Sequence, residues 1–132
     1  MADLKAIQRI TKEAFGKLNP LPDQLLEAQL KAGKPTYWID EDRLAFISYS
    51  KVCDEVEIFD LAVLPSAQGQ GLGKAMIKAL LCQNAGCQIF LEVREDNQRA
   101  RQLYQQVGFK AYRRRINYYQ DGQTAILMEK KA

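Results

Sequence analysis

The 132-residue sequence contains no histidine. That absence removes Ser-His and Cys-His nucleophilic catalysis and any histidine-ligated zinc site. Cysteine is scarce, with Cys53, Cys82 and Cys87 making an odd number. Such usage fits a reducing cytosol and carries no metal-ligand spacing, so no metal is expected. Cys82 and Cys87 are expected to be one buried and one surface thiol. No apolar run approaches the roughly 18 residues needed to span a bilayer. The start, Met1-Ala2-Asp3-Leu4-Lys5, lacks the apolar core and cleavage site of a signal peptide. A cytoplasmic protein without a membrane partner is the expectation. No internal repeat, low-complexity tract or linker interrupts the chain, so residues 1–132 are expected to form a single domain.

Hydrophobic residues make up 47% and charged residues 27%, the balance of a globular protein rather than a disordered tail. A chain this long buries about two-thirds of its unfolded surface, enough for a core without disulfides. The net charge of +3 hides an asymmetry. Residues 1–66 carry 8 Lys+Arg against 11 Asp+Glu, and residues 67–132 carry 11 against 5. The second half is therefore the better host for an anionic partner, whether a phosphorylated cofactor or a nucleic acid.

Helical spacing of Ile7, Ile10, Thr11, Ala14 and Phe15 predicts a helix over Leu4–Phe15 with Asp3 as N-cap. Asn19-Pro20-Leu21-Pro22 breaks the chain, and Asp23–Lys31 reads as a second helix ending at Gly33. Thr36–Ile39 and Arg43–Ser50 predict a hairpin around Asp40-Glu41-Asp42, followed by a strand over Glu55–Val63 that Pro65 stops. Leu72, Ala75, Met76, Ala79 and Leu80 form the stripe of a third helix, which Gly86 ends. Ile89–Val93 is an almost continuous apolar run, expected to be covered on both faces. Asn97 or Asp96 caps a helix with Ala100, Leu103, Tyr104 and Val107 on one side and Gly108 at its end. Lys110–Tyr119 and Gln123–Glu129 predict a closing hairpin around Asp121-Gly122. Strands and helices alternate in the middle and a hairpin closes the sheet, which makes the class α/β with a mixed sheet.

Gln68-Gly69-Gln70-Gly71-Leu72-Gly73-Lys74 follows a strand and enters a helix. Glycines there let backbone N–H groups approach a phosphate, and the helix dipole adds a favourable field. A turn that packs the helix tightly on the sheet accounts for the same residues. No Walker loop is present, and the acidic residue of a dinucleotide site would fall near Gly86 to Glu92, before or inside a strand core. In Ile89-Phe90-Leu91-Glu92-Val93, alternation puts Glu92 with Phe90 on the face opposite Ile89, Leu91 and Val93. A carboxylate in an apolar run must be paired, hydrated or used. It is either a salt-bridge partner of Arg94, Arg99 or another cation, or a general base. Tyr104 is either core or a proton donor at the sheet's edge. Arg113-Arg114-Arg115 alternates faces in a strand, so no one-sided nucleic-acid stripe is expected.

Together these residues resemble the GNAT superfamily of N-acetyltransferases, which use acetyl-CoA. The family's Arg/Gln-x-x-Gly-x-Gly/Ala motif is matched by Gln68, Gly71 and Gly73, after a strand ending Asp60-Leu61-Ala62-Val63-Leu64-Pro65. Leu91-Glu92-Val93-Arg94-Glu95-Asp96-Asn97, Ala100, Leu103-Tyr104, Gly108-Phe109 and Arg114-Arg115-Ile116-Asn117-Tyr118-Tyr119 are similar to the RimI type, the ribosomal-protein-alanine N-acetyltransferases. Three features depart from that type, the first being that no obvious first strand precedes the Leu4 helix. No aromatic-Pro-Trp-Ser segment lies around residues 16–24, and Gln123-Thr124 replaces an acidic pair.

The resemblance implies a single GNAT-like α/β domain with a mixed, mostly antiparallel central sheet flanked by helices, its central parallel strands splayed. It implies that Leu61, Ala62 and Val63 line the acetyl-pantetheine arm. Gly69, Gln70, Gly71, Leu72, Gly73 and Lys74 would wrap the pyrophosphate, and Asn97 would contact the cofactor. Glu92 becomes the general base and Tyr104 the general acid, with Glu57 a reserve base. The implied reaction is direct acetyl transfer from acetyl-CoA to a protein N-terminal amine, first among candidates the alanine of a small-subunit ribosomal protein. A small-molecule amine as acceptor and a non-catalytic acyl-CoA sensor are the alternatives. No metal and no direct nucleic-acid partner is implied.

Overall fold

A computed structural model describes residues 4–16 and 22–132. The predicted N-cap Asp3 and most of the Asn19–Pro22 break lie outside the described residues. The elements run α1 (Leu4–Phe15), α2 (Asp23–Ala32), β1 (Thr36–Ile39), β2 (Ala45–Val52), β3 (Glu55–Val63), α3 (Leu72–Gln83), β4 (Gln88–Arg94), α4 (Gln98–Gln106), β5 (Lys110–Arg115) and β6 (Ala125–Lys130). The six strands form one sheet in the order β1-β2-β3-β4-β6-β5. Among the described residues only β3 and β4 pair in parallel; the other neighbours are antiparallel.

Both faces are covered, by different helices. Ile7, Ile10 and Leu26 of α1 and α2 are fully buried with Phe46, Ala62 and Leu64. On the opposite face Met76, Ile77 and Leu80 of α3 and Tyr104 of α4 pack on Ala45, Ile47, Val56, Ile58, Ile89, Leu91, Val93, Ile126 and Met128. Each fully buried aliphatic side chain contributes about 1.5–3 kcal/mol, so these two clusters fix how the helices lie on the sheet.

Local chemistry explains most boundaries. Gly33 ends α2 with φ 70°, the left-handed C-terminal position that glycine fills without steric cost. The Asp40 carboxylate accepts the N–H groups of Asp42, Leu44 and Ala45 and closes the β1–β2 turn. Asn97, not Asp96, caps α4 by accepting the Ala100 N–H at 3.1 Å.

Several expectations need correction. The second hairpin strand runs Ala45–Val52 rather than Arg43–Ser50, because Asp40 holds residues up to Ala45 in the turn. The third helix ends at Gln83, before Gly86, where the Asn84 side chain turns back to donate to the Leu80 carbonyl. Strand β4 is not covered equally on both faces: Ile89, Leu91 and Val93 are buried, whereas Phe90 and Glu92 are only half-buried. The α1/α2 cluster lies over β2 and β3 and leaves that face of β4 open. The closing strands are shorter than expected, Lys110–Arg115 and Ala125–Lys130. The turn at Asp121-Gly122 exists, with the Gly122 N–H donated to the Tyr119 carbonyl, but it belongs to a longer connection over residues 116–124. Of the two thiols, Cys82 is exposed and Cys87 half-buried, so neither is fully buried.

Candidate active site

The centre of the sheet opens. Strands β3 and β4 pair from Glu55↔Gln88 to Ile58↔Leu91 and not beyond. Past that point β3 stays on β2, through Ser48↔Asp60 and Phe46↔Ala62, while β4 stays on β6, through Glu92↔Leu127 and Val93↔Ile126. The divergence begins at a bulge. Tyr49 pairs with Ile58 and Ser48 with Asp60, so Phe59 is an extra residue on β3. A bulge bends its strand and reverses the facing of the residues after it. Accordingly Leu61 and Val63 join the α3/α4 side, whereas Ala62 joins the α1/α2 side.

A cavity of about 540 Å³ lies beside the diverging end of β3, between it and α1, α3 and α4. Leu61, Ala62 and Val63 line it, as do Gly69, Gly71, Leu72, Gly73, Lys74 and Asn97. Nine of the ten expected cofactor-side residues thus come together; Gln70 does not line the cavity. Gly69 and Gly71 hold φ of 82° and 81°, backbone that other residues adopt only at a cost. Gly71 precedes the first turn of α3, whose N–H groups lack helical partners and whose dipole attracts anions. Lys74 and Arg99 supply positive charge, and among the described residues no Asp or Glu lines the cavity. A phosphorylated ligand fits that electrostatic character. Gly73 faces the sheet, and a Cβ there would stand 3.5 Å from Val63 Cγ2, an ordinary contact.

Arg99, weighed from the sequence only as an ion-pair partner of Glu92, lines the cavity instead. Its Nη1 donates to Gln68 Oε1 at 2.9 Å, and Gln68 Nε2 donates to the Val63 carbonyl at 3.0 Å. This relay ties α4 to the glycine loop and the loop to the diverging strand. The cavity also reaches Ala14 and Phe15 of α1 and Leu103 and Gln106 of α4. The only sequence signal for Ala14, Phe15 and Leu103 was the apolar stripe of each helix, and Gln106 had none.

Tyr104 lines the cavity and is 7% exposed. Its ring meets Phe109 edge-on at 5.7 Å. Burial, and secondarily the negative charge of Asp60, pushes its hydroxyl well above the ordinary tyrosine range. The phenol therefore keeps its proton. Glu92 does not line the cavity. It stands on the other face of β4, one residue past the last β3 partner, with Oε1 3.6 Å from Arg115 Nη1. Arg94 instead pairs with Asp96 and Asp121, and Arg99 serves Gln68. The expected alternation of the arginine run holds around an extra residue at Tyr112: Arg115 meets Glu92, whereas Arg114 meets Glu95 from the opposite face. Glu57 is exposed and precedes the fork.

A second carboxylate stands at the fork. Asp60 follows the bulge on β3, opposite Ser48. Its N–H donates to Ser48 Oγ at 3.1 Å, and that hydroxyl also bonds the carboxylate. Burial raises its pKa to about 6, against which the Ser48 bond acts. Tyr119, raised to about 12 mainly by burial, feels both Glu92 and Asp60.

Residues 4–109 match the sequence model of the acetyltransferase (GNAT) family. The chain belongs to the GNAT acetyltransferase family. It is 34% identical over 136 residues to an uncharacterized N-acetyltransferase of Methanocaldococcus jannaschii, covering 98% of this chain and 86% of that one. It is 42% identical over 79 residues to the ribosomal protein bS18-alanine N-acetyltransferase of Haemophilus influenzae. That match spans 58% of this chain and about half, 53%, of the relative. The crystal structure of the ribosomal-protein-S18-alanine N-acetyltransferase from Escherichia coli superposes with a TM-score of 0.82 at 30% identity, covering 98% and 88% of the two chains. The sequence resemblance to GNAT enzymes, and to the RimI type among them, is thereby established, as is the mixed sheet with its splayed parallel pair. The GNAT fold binds acetyl-CoA, and the glycine loop, α3 N-terminus, Lys74 and Arg99 suit its anionic half.

Proposed function

We propose that this GNAT-family N-acetyltransferase transfers acetyl from acetyl-CoA directly to the α-amino group of a protein N-terminus. The alanine of a small-subunit ribosomal protein is the first acceptor to test. The observation that carries the reading is the fork. The cavity beside it has glycines, a helix N-terminus and cations but, among the described residues, no acid, and the other face of the sheet has carboxylates. An anionic thioester donor and a cationic amine acceptor can thus approach one opening from opposite sides.

A protein α-ammonium, with pKa about 7.7–8.0, must lose a proton before it attacks the thioester carbon. Glu92 accepts that proton, directly or through water, as general base. Backbone N–H groups of the diverging strand around Leu61–Val63 stabilise the oxyanion of the tetrahedral intermediate. The intermediate collapses, the C–S bond breaks, and Tyr104 protonates the departing thiolate. Gly69 to Lys74 and Asn97 hold the donor meanwhile. Residues 1–132 act as one acetyltransferase domain, needing neither an enzyme-bound acyl group nor a metal, and working in the cytoplasm.

The test measures CoA release with three acceptors: an Ala-initiated ribosomal peptide, its N-terminally blocked copy with lysines intact, and a polyamine. Turnover confined to the free Ala peptide is expected. Turnover with the polyamine alone would replace the acceptor by a small amine. No turnover with any of them, alongside CoA binding, would overturn the transferase mechanism written here.

A further inference from the structure

The fork carries one carboxylate on each prong, and the two differ in what they hold. Glu92 is the first β4 residue after the last parallel pair, and it is engaged by Arg115. Asp60 is the first β3 residue after the bulge, and among the described residues no lysine or arginine forms an ion pair with it. Its cross-strand partner Ser48 is fully buried, and the neighbouring Phe46↔Ala62 pair lies in the α1/α2 cluster, so Asp60 faces the same side of the sheet as Glu92. The next residue along β3, Leu61, already lines the donor cavity.

Three phenols and one hydroxyl interact with Asp60. Tyr37 from β1, Tyr104 from α4 and Tyr119 from the β5–β6 connection all feel its charge, and Ser48 from β2 bonds it. Glu92 is the other acid at the same opening, felt with it by Tyr119. Tyr37 donates its own hydrogen to Gln29, so it does not neutralise the acid. A half-buried carboxylate without a cation, one residue along β3 from a residue that lines the donor cavity, is an incomplete ion pair.

We propose that Asp60 is the specificity-determining residue for the acceptor: it binds the incoming ammonium by a charge-assisted hydrogen bond and holds it at the fork. This rests on the acetyl-transfer reading and deepens it, dividing the work between the prongs. Asp60 captures the cation, and Glu92 takes the proton that leaves when the amine attacks. Overall the ammonium gives up two protons, one ending on the CoA sulfur and one reaching solvent, while the acyl C–S bond is exchanged for C–N. Asp60 is ionised throughout.

The experiment measures binding of a free Ala-initiated peptide and its N-blocked copy to the CoA-loaded protein by calorimetry between pH 5 and 8. The wild type should bind the free peptide and not the blocked one. Its affinity should fall as pH drops through about 6, where the carboxyl takes up a proton. Asp60→Asn should bind the free peptide at least about ten-fold more weakly, with no loss on the acid side and unchanged CoA affinity. Ser48→Ala, which removes the bond favouring the ionised form, should move the acid-side loss to higher pH. Glu92→Gln should keep peptide affinity. Equal binding of free and blocked peptides, no peptide binding at all, or an Asp60→Asn protein binding like wild type would each overturn the inference. Tight amine binding by Asp60 without CoA release would instead sink the acetyl-transfer reading alone.

Discussion

Glu92 and Arg115 meet on one face of the sheet with their charged groups 3.6 Å apart, across the strand that lies between them. Both side chains keep contact with water, at 33% and 42% exposure. A pair so exposed adds at most about 1 kcal/mol to stability. Glu92→Gln should therefore leave thermal stability and CoA affinity close to wild type. If Glu92 is the base, kcat should fall about 10²–10⁴-fold. Steady-state rates, CoA calorimetry and a melting curve on the same preparation decide the matter. A variant that keeps its rate would remove Glu92 from the chemistry.

Tyr104→Phe keeps the edge-on packing against Phe109 and removes only the hydroxyl. Loss of a general acid should lower kcat about 10²-fold or more. The alkaline behaviour follows from burial. Tyr37 and Tyr119 are pushed up to about 12 and Tyr104 also upward, so the folded state holds these protons more tightly than the unfolded chain. Their contribution to stability is fully present below the unfolded value of about 10 and is lost as pH rises through the folded values. Urea unfolding should show a constant midpoint from pH 8 to 9 and a falling one above about pH 10. A loss beginning near pH 9 would contradict this assignment.

The two glycines on either side of Leu72 should respond differently to the same change. Gly71 holds φ 81°, so Gly71→Ala forces a left-handed alanine and costs about 1–2 kcal/mol. The distorted loop should also weaken CoA binding. Gly73 is helical, and an added Cβ would meet Val63 at an ordinary contact distance of 3.5 Å. Gly73→Ala should thus be neutral or stabilising by up to about 1 kcal/mol. Denaturant midpoints of the two variants give the comparison.

The donor side was legible in the sequence because its signals are local. Glycines that need positive φ, the Asn97 cap and the α3 stripe are each written within a few residues of sequence, and all contribute to the cavity. Glu92 announced itself as a carboxylate inside an apolar run. Asp60, between Phe59 and Leu61, met the same criterion and could have been found by it. Its facing could not, because strict alternation from Val56 and Ile58 would place Asp60 on the α3/α4 side. The extra residue Phe59 reverses that parity, and a bulge is set by pairing with β2 rather than by the strand's own sequence. The early end of β5 at Arg115 is similar in kind. Arg115 and Tyr118 stack at 5.4 Å and Arg94 lies 5.0 Å over Tyr119, contacts that shape the connection.

Asp60→Asn should stabilise the protein at neutral pH. Burial raises this carboxyl from its ordinary range to about 6, so the folded state binds the proton more tightly than the unfolded chain does. The stability this supplies is fully present below the unfolded pKa of about 4, and is lost as pH rises through about 6. Above that range the fold carries a poorly solvated charge without a cation. Asparagine preserves the shape and a hydrogen bond to Ser48 while removing the charge. The expected gain at pH 7 is on the order of 2 kcal/mol, shrinking toward zero near pH 4. Urea denaturation at pH 4.5 and pH 7 measures both ends. A carboxylate kept for structural reasons would behave in the opposite way, with Asn the less stable protein at pH 7. One kept to receive a cationic acceptor would trade stability for binding. The sign of this one difference therefore separates the two explanations for an acid at the mouth of the fork.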